Sequence, residues 1–204
     1  FVYCLHLLTP PAIGSVLESP VVREVGTISL DGFIGPGHVS TVIGVRPYDY
    51  FAEEYKKPVV ITGFAPSDIL YALIELVEMC NNQRAQVVNA YKRVVADEGN
   101  LKAQELMAEM FELRREFEWR GLGNVPYSAL KLRQAYGRFD AELHLPLREL
   151  GSQDHKSCLC GQIIRGAKKP TDCKLFGKAC LPENPIGACM VSSEGTCAAY
   201  YTYG

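Results

Sequence analysis

No apolar run in the 204 residues approaches the ~20 that a membrane-crossing helix needs, so the sequence points away from the membrane. The opening FVYCLHLLTPP lacks the basic stretch of a secretion signal, and no methionine begins it. A chain that starts on Phe1 in this way reads as a fragment or a processed product. Net charge is nearly absent: 21 basic residues face 23 acidic ones, and the formal balance is −2. Without a global basic field, nucleic acid is excluded as a partner class. Neither G-x-G-x-x-G nor a P-loop is present, so the standard nucleotide fingerprints are missing. Cysteine is scarce over roughly the first 150 residues, where only Cys4 and Cys80 occur. A secreted disulfide scaffold is small and cysteine-dense throughout, and this chain is neither.

What is present begins with ample apolar content, 48% of the residues, enough for a sizeable core in one or two domains. AIGSVLES after Pro10-Pro11 predicts a helical turn or two, and LDGFIGPGHVS a strand ending in a glycine turn. RPYDYFAEEYKK has a helical pattern, and PVVITGF reads as a buried β-branched strand. APSDILYALIELVEMCNN predicts a helix, capped by Ser67 or Asp68, with Ile69, Leu70, Leu73, Ile74 and Val77 on one face. Strand, helix, strand in this order predicts βαβ units and a parallel sheet. Residues 84–117 read as mostly helical, broken near DEGN, with Ala103, Met107, Met110, Phe111 and Phe117 on the apolar side. EWRGLGNVPYS reads as the end of that helix, ALKLR and RFDAELHL as short strands, and RELGSQDHK as a linker. The expected architecture is therefore α/β: a layered, Rossmann-like lobe with a partly parallel sheet over 1–150, then an irregular cysteine-rich segment over 151–204.

Six of the eight cysteines fall in that segment: Cys158, Cys160, Cys173, Cys180, Cys189 and Cys197. No C-x2–4-C zinc knuckle, no C-x2-C-x2-C ferredoxin run and no C-x-x-C redox motif is among them. Ligands must come from separated turns. Thiolates are the ligating form, and Arg165, Lys168, Lys169, Lys174 and Lys178 supply cations that favour them. That balance suits a centre of net negative charge. A four-thiolate zinc site and an oxidised 4Fe-4S cluster are both dianionic, so charge alone does not choose between them. A zinc-organised protein-binding module stays open, as does a thiol–disulfide oxidoreductase using Cys158 with Cys160, or Cys189 with a neighbour.

CGQIIRGAKKPTDCKLFGKACLPENPIGACMVSSEGTCAAYY resembles the C-terminus of the HypD family of NiFe-hydrogenase maturation proteins. DGFIGPGHVSTVIGVRPYDYFAEEYKKPVVITGFAPSDIL and EWRGLG resemble the same family in the same order. The family's cluster pattern, C-x12-C-x6-C-x16-C, falls on Cys160, Cys173, Cys180 and Cys197. The resemblance therefore implies a 4Fe-4S cluster on those four, with Cys189 and Cys158 as alternates. It further implies a cytoplasmic scaffold and electron-transfer component for assembling the Fe(CN)2CO group, with HypC and HypE as partners. Family members also carry a Gly-Gly-His-Thr-His segment beside an iron-holding cysteine, and a C-P-x-C pair. Neither occurs here. The chain resembles roughly the second half of such a protein, with the Fe(CN)2CO intermediate held mainly by HypC and the lobe not represented.

GPGHVS follows a predicted strand, and Gly35 and Gly37 permit a tight backbone path there. In open α/β sheets ligands gather at the carboxyl ends of strands, so Gly35, Gly37, His38 and Ser40 are candidate cleft residues. The alternative is a strand-to-helix turn that simply needs glycine. His6, His144 and His155 read as surface or satisfied core residues, and Arg120 as exposed or capping.

Overall fold

In the computed structural model of the chain, which describes residues 1–19, 30–146 and 155–204, the described helices come first. They are α1 (Thr9–Leu17), α2 (Gly37–Ile43), α3 (Asp49–Glu53), α4 (Pro66–Asn81), α5 (Leu101–Met110), α6 (Ala141–His144), α7 (Cys160–Ile164), α8 (Ala188–Val191) and α9 (Thr196–Tyr203). The strands are β1 (Phe33–Pro36), β2 (Val59–Thr62), β3 (Val87–Asn89), β4 (Phe111–Leu113), β5 (Glu116–Trp119), β6 (Gly123–Pro126) and β7 (Leu130–Leu132). Among the described residues no helix is long and apolar enough to cross a membrane. The protein is α/β with a partly parallel sheet, as its sequence predicts.

Contacts divide the chain into two compact units. One holds Leu30–Glu112 and Leu132–Tyr136; the other holds Phe1–Ser29, Leu113–Lys131 and Gly137–Gly204. The cysteine-rich tail thus shares its unit with 113–131 and the N-terminal residues. The expected boundary near 150 lies among residues 147–154, outside the described ones, as does most of the expected linker.

The first unit is built on β2. Its Val59, Val60 and Ile61 are wholly buried, as a central strand covered on both faces requires. β1 and β3 flank it, both parallel, in the order β1-β2-β3, with Phe33 opposite Val59 and Val59 opposite Val87. α4 then covers one face, packing Ala72 and Met79 on Val60. Burying one such side chain is worth about 1.5–3 kcal/mol. Pro66 starts the helix at its first turn, where its missing N–H costs nothing. The N-cap is Ala65 with no side-chain bond, so the Ser67 or Asp68 cap expected from sequence is not used.

The apolar stripe also needs correction. Leu70, Leu73, Ile74 and Val77 are exposed and Ile69 is half-buried, whereas Ala72 and Met79 face the sheet. Apolar residues surround much of α4, and the strand that feeds the helix, not the periodicity, selects its buried side. Residues 84–117 are likewise less helical than expected. Val87-Val88 pair with the open edge of β2, Asn100 caps α5 by accepting from Ala103 N–H at 3.0 Å, and Phe117 lies on β5. RPYDYFAEEYKK forms a 3-10 turn over Arg46–Tyr48 and then α3, burying Tyr48 and Phe51.

In the second unit EWRGLGNVPYS is not a helix end. β5 and β6 form an antiparallel hairpin with Trp119 opposite Gly123. Gly121 and Gly123 have φ of +81° and +78°, the left-handed region that reverses the chain there. Trp119 Nε1–H donates to Ser128 Oγ at 2.8 Å, and that buried hydroxyl donates to Val125 O at 2.8 Å. RFDAELHL, expected as a strand, contains α6 instead, because the Asp140 side chain accepts from Glu142 N–H and caps it. ALKLR does supply β7.

Candidate metal centre

Short turns, each closed by local hydrogen bonds, deliver the tail cysteines. Cys160 begins α7. Asp172 Oδ2 accepts from Lys169 N–H at 2.9 Å, closing the turn Pro170–Asp172 just before Cys173. From Cys173 the chain folds back on itself: Cys180 N–H donates to Leu175 O at 2.9 Å, and Gly177 takes φ +66°. Gly187 caps α8, which carries Cys189, and Gly195 caps α9, which carries Cys197.

These turns converge. Cys160, Cys173, Cys180, Cys189 and Cys197 are buried in one cluster with Ile163, Met190 and Ala198, and the half-buried Cys158 packs against it. Cys189 Sγ–H donates to Cys160 Sγ at 2.9 Å and lies 3.3 Å from Cys197 Sγ. Backbone amides also point at sulfur: Cys189 N–H donates to Cys160 Sγ and Ile186 N–H to Cys180 Sγ, each at 3.3 Å. Among the described residues no disulfide is formed. Cys4 and Cys80 lie outside the cluster. Cys4 is buried, with its Sγ 3.0 Å from His6 Nδ1.

Burial pushes the thiols of Cys158 and Cys197 up, toward the protonated form, and negative charge on Cys160, Cys173 and Cys180 acts in the same direction. The Cys160 backbone N–H opposes this at Cys158, and the Cys189 side chain opposes it at Cys197. Ionised sulfurs crowded in one dry pocket need a cation to replace their protons, which is what a metal centre provides. The donor chemistry fits such a centre. Five of the residues buried in the cluster are cysteines, and an all-thiolate set selects zinc, copper(I) or iron–sulfur groups. Among the described residues no group of three or more His, Cys, Asp or Glu side chains is arranged to hold a single metal ion. The contacts of Cys189 Sγ with Cys160 Sγ and Cys197 Sγ are of hydrogen-bond length.

Of the tail's basic residues, Lys156, Lys168, Lys169, Lys174 and Lys178 are exposed and only Arg165 turns inward. Its Nη1 donates to Gly161 O at 2.6 Å and Gly121 O at 2.9 Å, and its Nη2 donates to Leu122 O at 2.9 Å. Burial lowers the pKa of the guanidinium, and the Cys160 charge works against that shift.

Two glycines that sequence reading left out of the site touch its sulfurs. A Cβ on Gly121 would stand 3.2 Å from Cys160 Sγ, and one on Gly187 would stand 2.6 Å from Cys158 Sγ. Gly121 was visible as a turn glycine in EWRGLG, but nothing local to that motif signals a sulfur 39 positions on.

The cleft candidates lie in the other unit, at the carboxyl end of β1. Gly35 is buried against Ile61, and Gly37 lies against Thr62 O and the Tyr91 ring, with no room for a Cβ. Ser40 is fully buried, and its Oγ donates to Pro36 O at 3.0 Å, a helix-internal bond rather than one facing a ligand. His38 is exposed with its ring 5.3 Å from Phe64. Arg120 is exposed, His144 Nε2 is 3.1 Å from Gly137 O, and His155 Nδ1 accepts from Ser157 N–H at 3.2 Å.

Fold and site together define an α/β protein with five cysteines of its tail buried in one cluster. A family model described as "HypD: Hydrogenase formation hypA family" matches residues 1–204, and the chain belongs to that family. It is 56% identical over 203 residues to hydrogenase maturation factor HypD2 of Bradyrhizobium diazoefficiens, covering 100% of this chain and 53% of that protein. It is 58% identical over 203 residues to hydrogenase maturation factor HypD of Cupriavidus necator, covering 100% of this chain and 54% of that protein. A hydrogenase expression/formation protein of Methanocaldococcus jannaschii is 42% identical over 203 residues, again with 100% of this chain and 54% of the relative covered. The chain spans about half the length of the curated relatives it matches.

Proposed function

We propose that this chain serves NiFe-hydrogenase maturation as the part that carries a 4Fe-4S cluster, on Cys160, Cys173, Cys180 and Cys197. The names of the relatives support the process. The observation that carries the chemistry is the convergence of five buried thiols in one cluster. Such a cluster supplies one-electron exchange when bound. The chain's own residues hold it, shield it from water with Ile163 and Met190, and direct the Cys189 and Ile186 amides at sulfur. The role is that of a cytoplasmic scaffold and electron-transfer component for building Fe(CN)2CO, with HypC as co-scaffold and HypE as the source of cyanide. The burial that pushes the Cys158 thiol up opposes a thiol–disulfide role for Cys158, which needs a low thiol pKa.

Anaerobically purified protein is expected to absorb broadly near 400 nm and to hold about four irons per chain. Serine at Cys160, Cys173, Cys180 or Cys197 is expected to remove that iron, whereas serine at Cys158 or Cys189 leaves it. Colourless protein with stoichiometric zinc would replace this reading by the zinc-organised module. Iron lost with Cys158→Ser and kept with Cys160→Ser would move the first ligand to Cys158.

A further inference from the structure

We infer that Arg165 is the positioning residue and counter-cation of the sulfur centre, holding the 119–123 turn against Cys160 and offsetting the negative charge of a four-thiolate cluster. The inference rests on the cluster reading above and concerns a residue that binds no metal.

Three observations combine. First, both terminal nitrogens of Arg165 donate to carbonyls, those of Gly121, Leu122 and Gly161, which orient a cation without neutralising it. Second, the side chain has no carboxylate partner: the ion pairs of the described residues join Arg46, Arg84, Arg93, Lys102 and Arg114 to acids, and none involves Arg165. Its Nε is buried without a hydrogen-bond partner. A partly buried cation left without an anion is costly, so an anion is expected close by. Third, the carbonyl it grips belongs to the residue packed on the centre. Gly121 lies between the guanidinium and Cys160, so close to the sulfur that a Cβ would be 3.2 Å away. The exposed lysines of the tail hold no comparable place.

A cluster that accepts one electron without a proton goes from two negative charges to three. A fixed cation nearby favours the reduced state, because the added charge is stabilised in a medium of low dielectric. Loss of the cation is therefore expected to make reduction harder.

The test compares the parent protein, Arg165→Lys and Arg165→Gln, purified anaerobically and titrated with dithionite while the cluster spectrum and the iron content are read. Arg165→Gln is expected to keep iron and to change the reduced-to-oxidised ratio at fixed potential by about tenfold, a midpoint about 59 mV more negative for one electron. Arg165→Lys, which keeps the charge, is expected to shift it much less. Loss of iron in Arg165→Gln with retention in Arg165→Lys also supports the inference. Equal midpoints in parent and Arg165→Gln, equal shifts in both variants, or iron lost from both would overturn it while leaving the cluster reading in place. An iron-free parent would overturn the two together.

Discussion

Gly187 has φ −96° and ψ 153°, a conformation open to any residue, so glycine is needed there for space and not for torsion. A methyl group would meet Cys158 Sγ at 2.6 Å and Cys160 Cβ at 3.4 Å, between two side chains already packed. Gly187→Ala is therefore expected to destabilise the protein by about 1–3 kcal/mol, the range for overpacking a filled site. Urea unfolding reads this, and the penalty should shrink when Cys158→Ala removes the opposing sulfur. A Gly187→Ala midpoint equal to the parent's would mean that the pocket has slack. Gly121 differs in that its φ of +81° adds backbone strain to any crowding at Cys160. The cysteines themselves were legible in the sequence, because thiols at that density have few uses. The two glycines were not, since each is defined by a sulfur remote in the chain.

The connection from β2 into α4 shows how a local charge pair marks the carboxyl edge of the sheet. Thr62 Oγ1–H donates to Asp68 O at 3.0 Å, and Asp68 sits in the first turn of α4, where a negative charge suits the helix dipole. Arg93 donates to Asp68 Oδ2, and its guanidinium lies 4.5 Å from the centre of the Tyr91 ring. The hydrogen bond from Arg93 holds the Asp68 carboxyl below the usual carboxylate range. Ionised Asp68 therefore favours the folded chain. That contribution is complete above the ordinary aspartate value of about 3.9 and is lost as pH falls through the lower folded value. A carbon-detected NMR titration should place the Asp68 midpoint below that reference, and Arg93→Ala should raise it. A midpoint unmoved by Arg93→Ala would assign the depression to the helix terminus alone. The sequence located β2 and α4 almost to the residue, because a β-branched run and a long helical pattern are local signals. It misjudged β3 and the β5–β6 hairpin, whose strands exist only through their pairing partners.

The two compact units draw their stability from different sources. One rests on a sheet whose central strand is wholly buried and covered by α4; the other contains a tail whose core is largely sulfur. Removal of the proposed cluster should therefore act unequally. Amide exchange at Val59–Ile61 is expected to stay slow in iron-loaded and iron-free protein alike, while exchange across 160–197 speeds up by at least roughly tenfold on iron removal. Equal protection of the tail in both forms would show that apolar packing alone organises it. Family membership covers residues 1–204, and the matched relatives are nearly twice as long.

From composition, spacing and resemblance came the α/β class, the central strand and long helix, the family, and a tail organised around cysteines. These depend on residue type and near neighbours, which a one-dimensional record preserves. Folding in space settled which side of α4 is covered, that 116–126 is a hairpin, that Cys189 lies between Cys160 and Cys197, and that Arg165 alone of the tail cations turns inward. Each of those depends on which distant segment fills the space beside a residue, and contacts across many positions leave no periodicity for local reading to find.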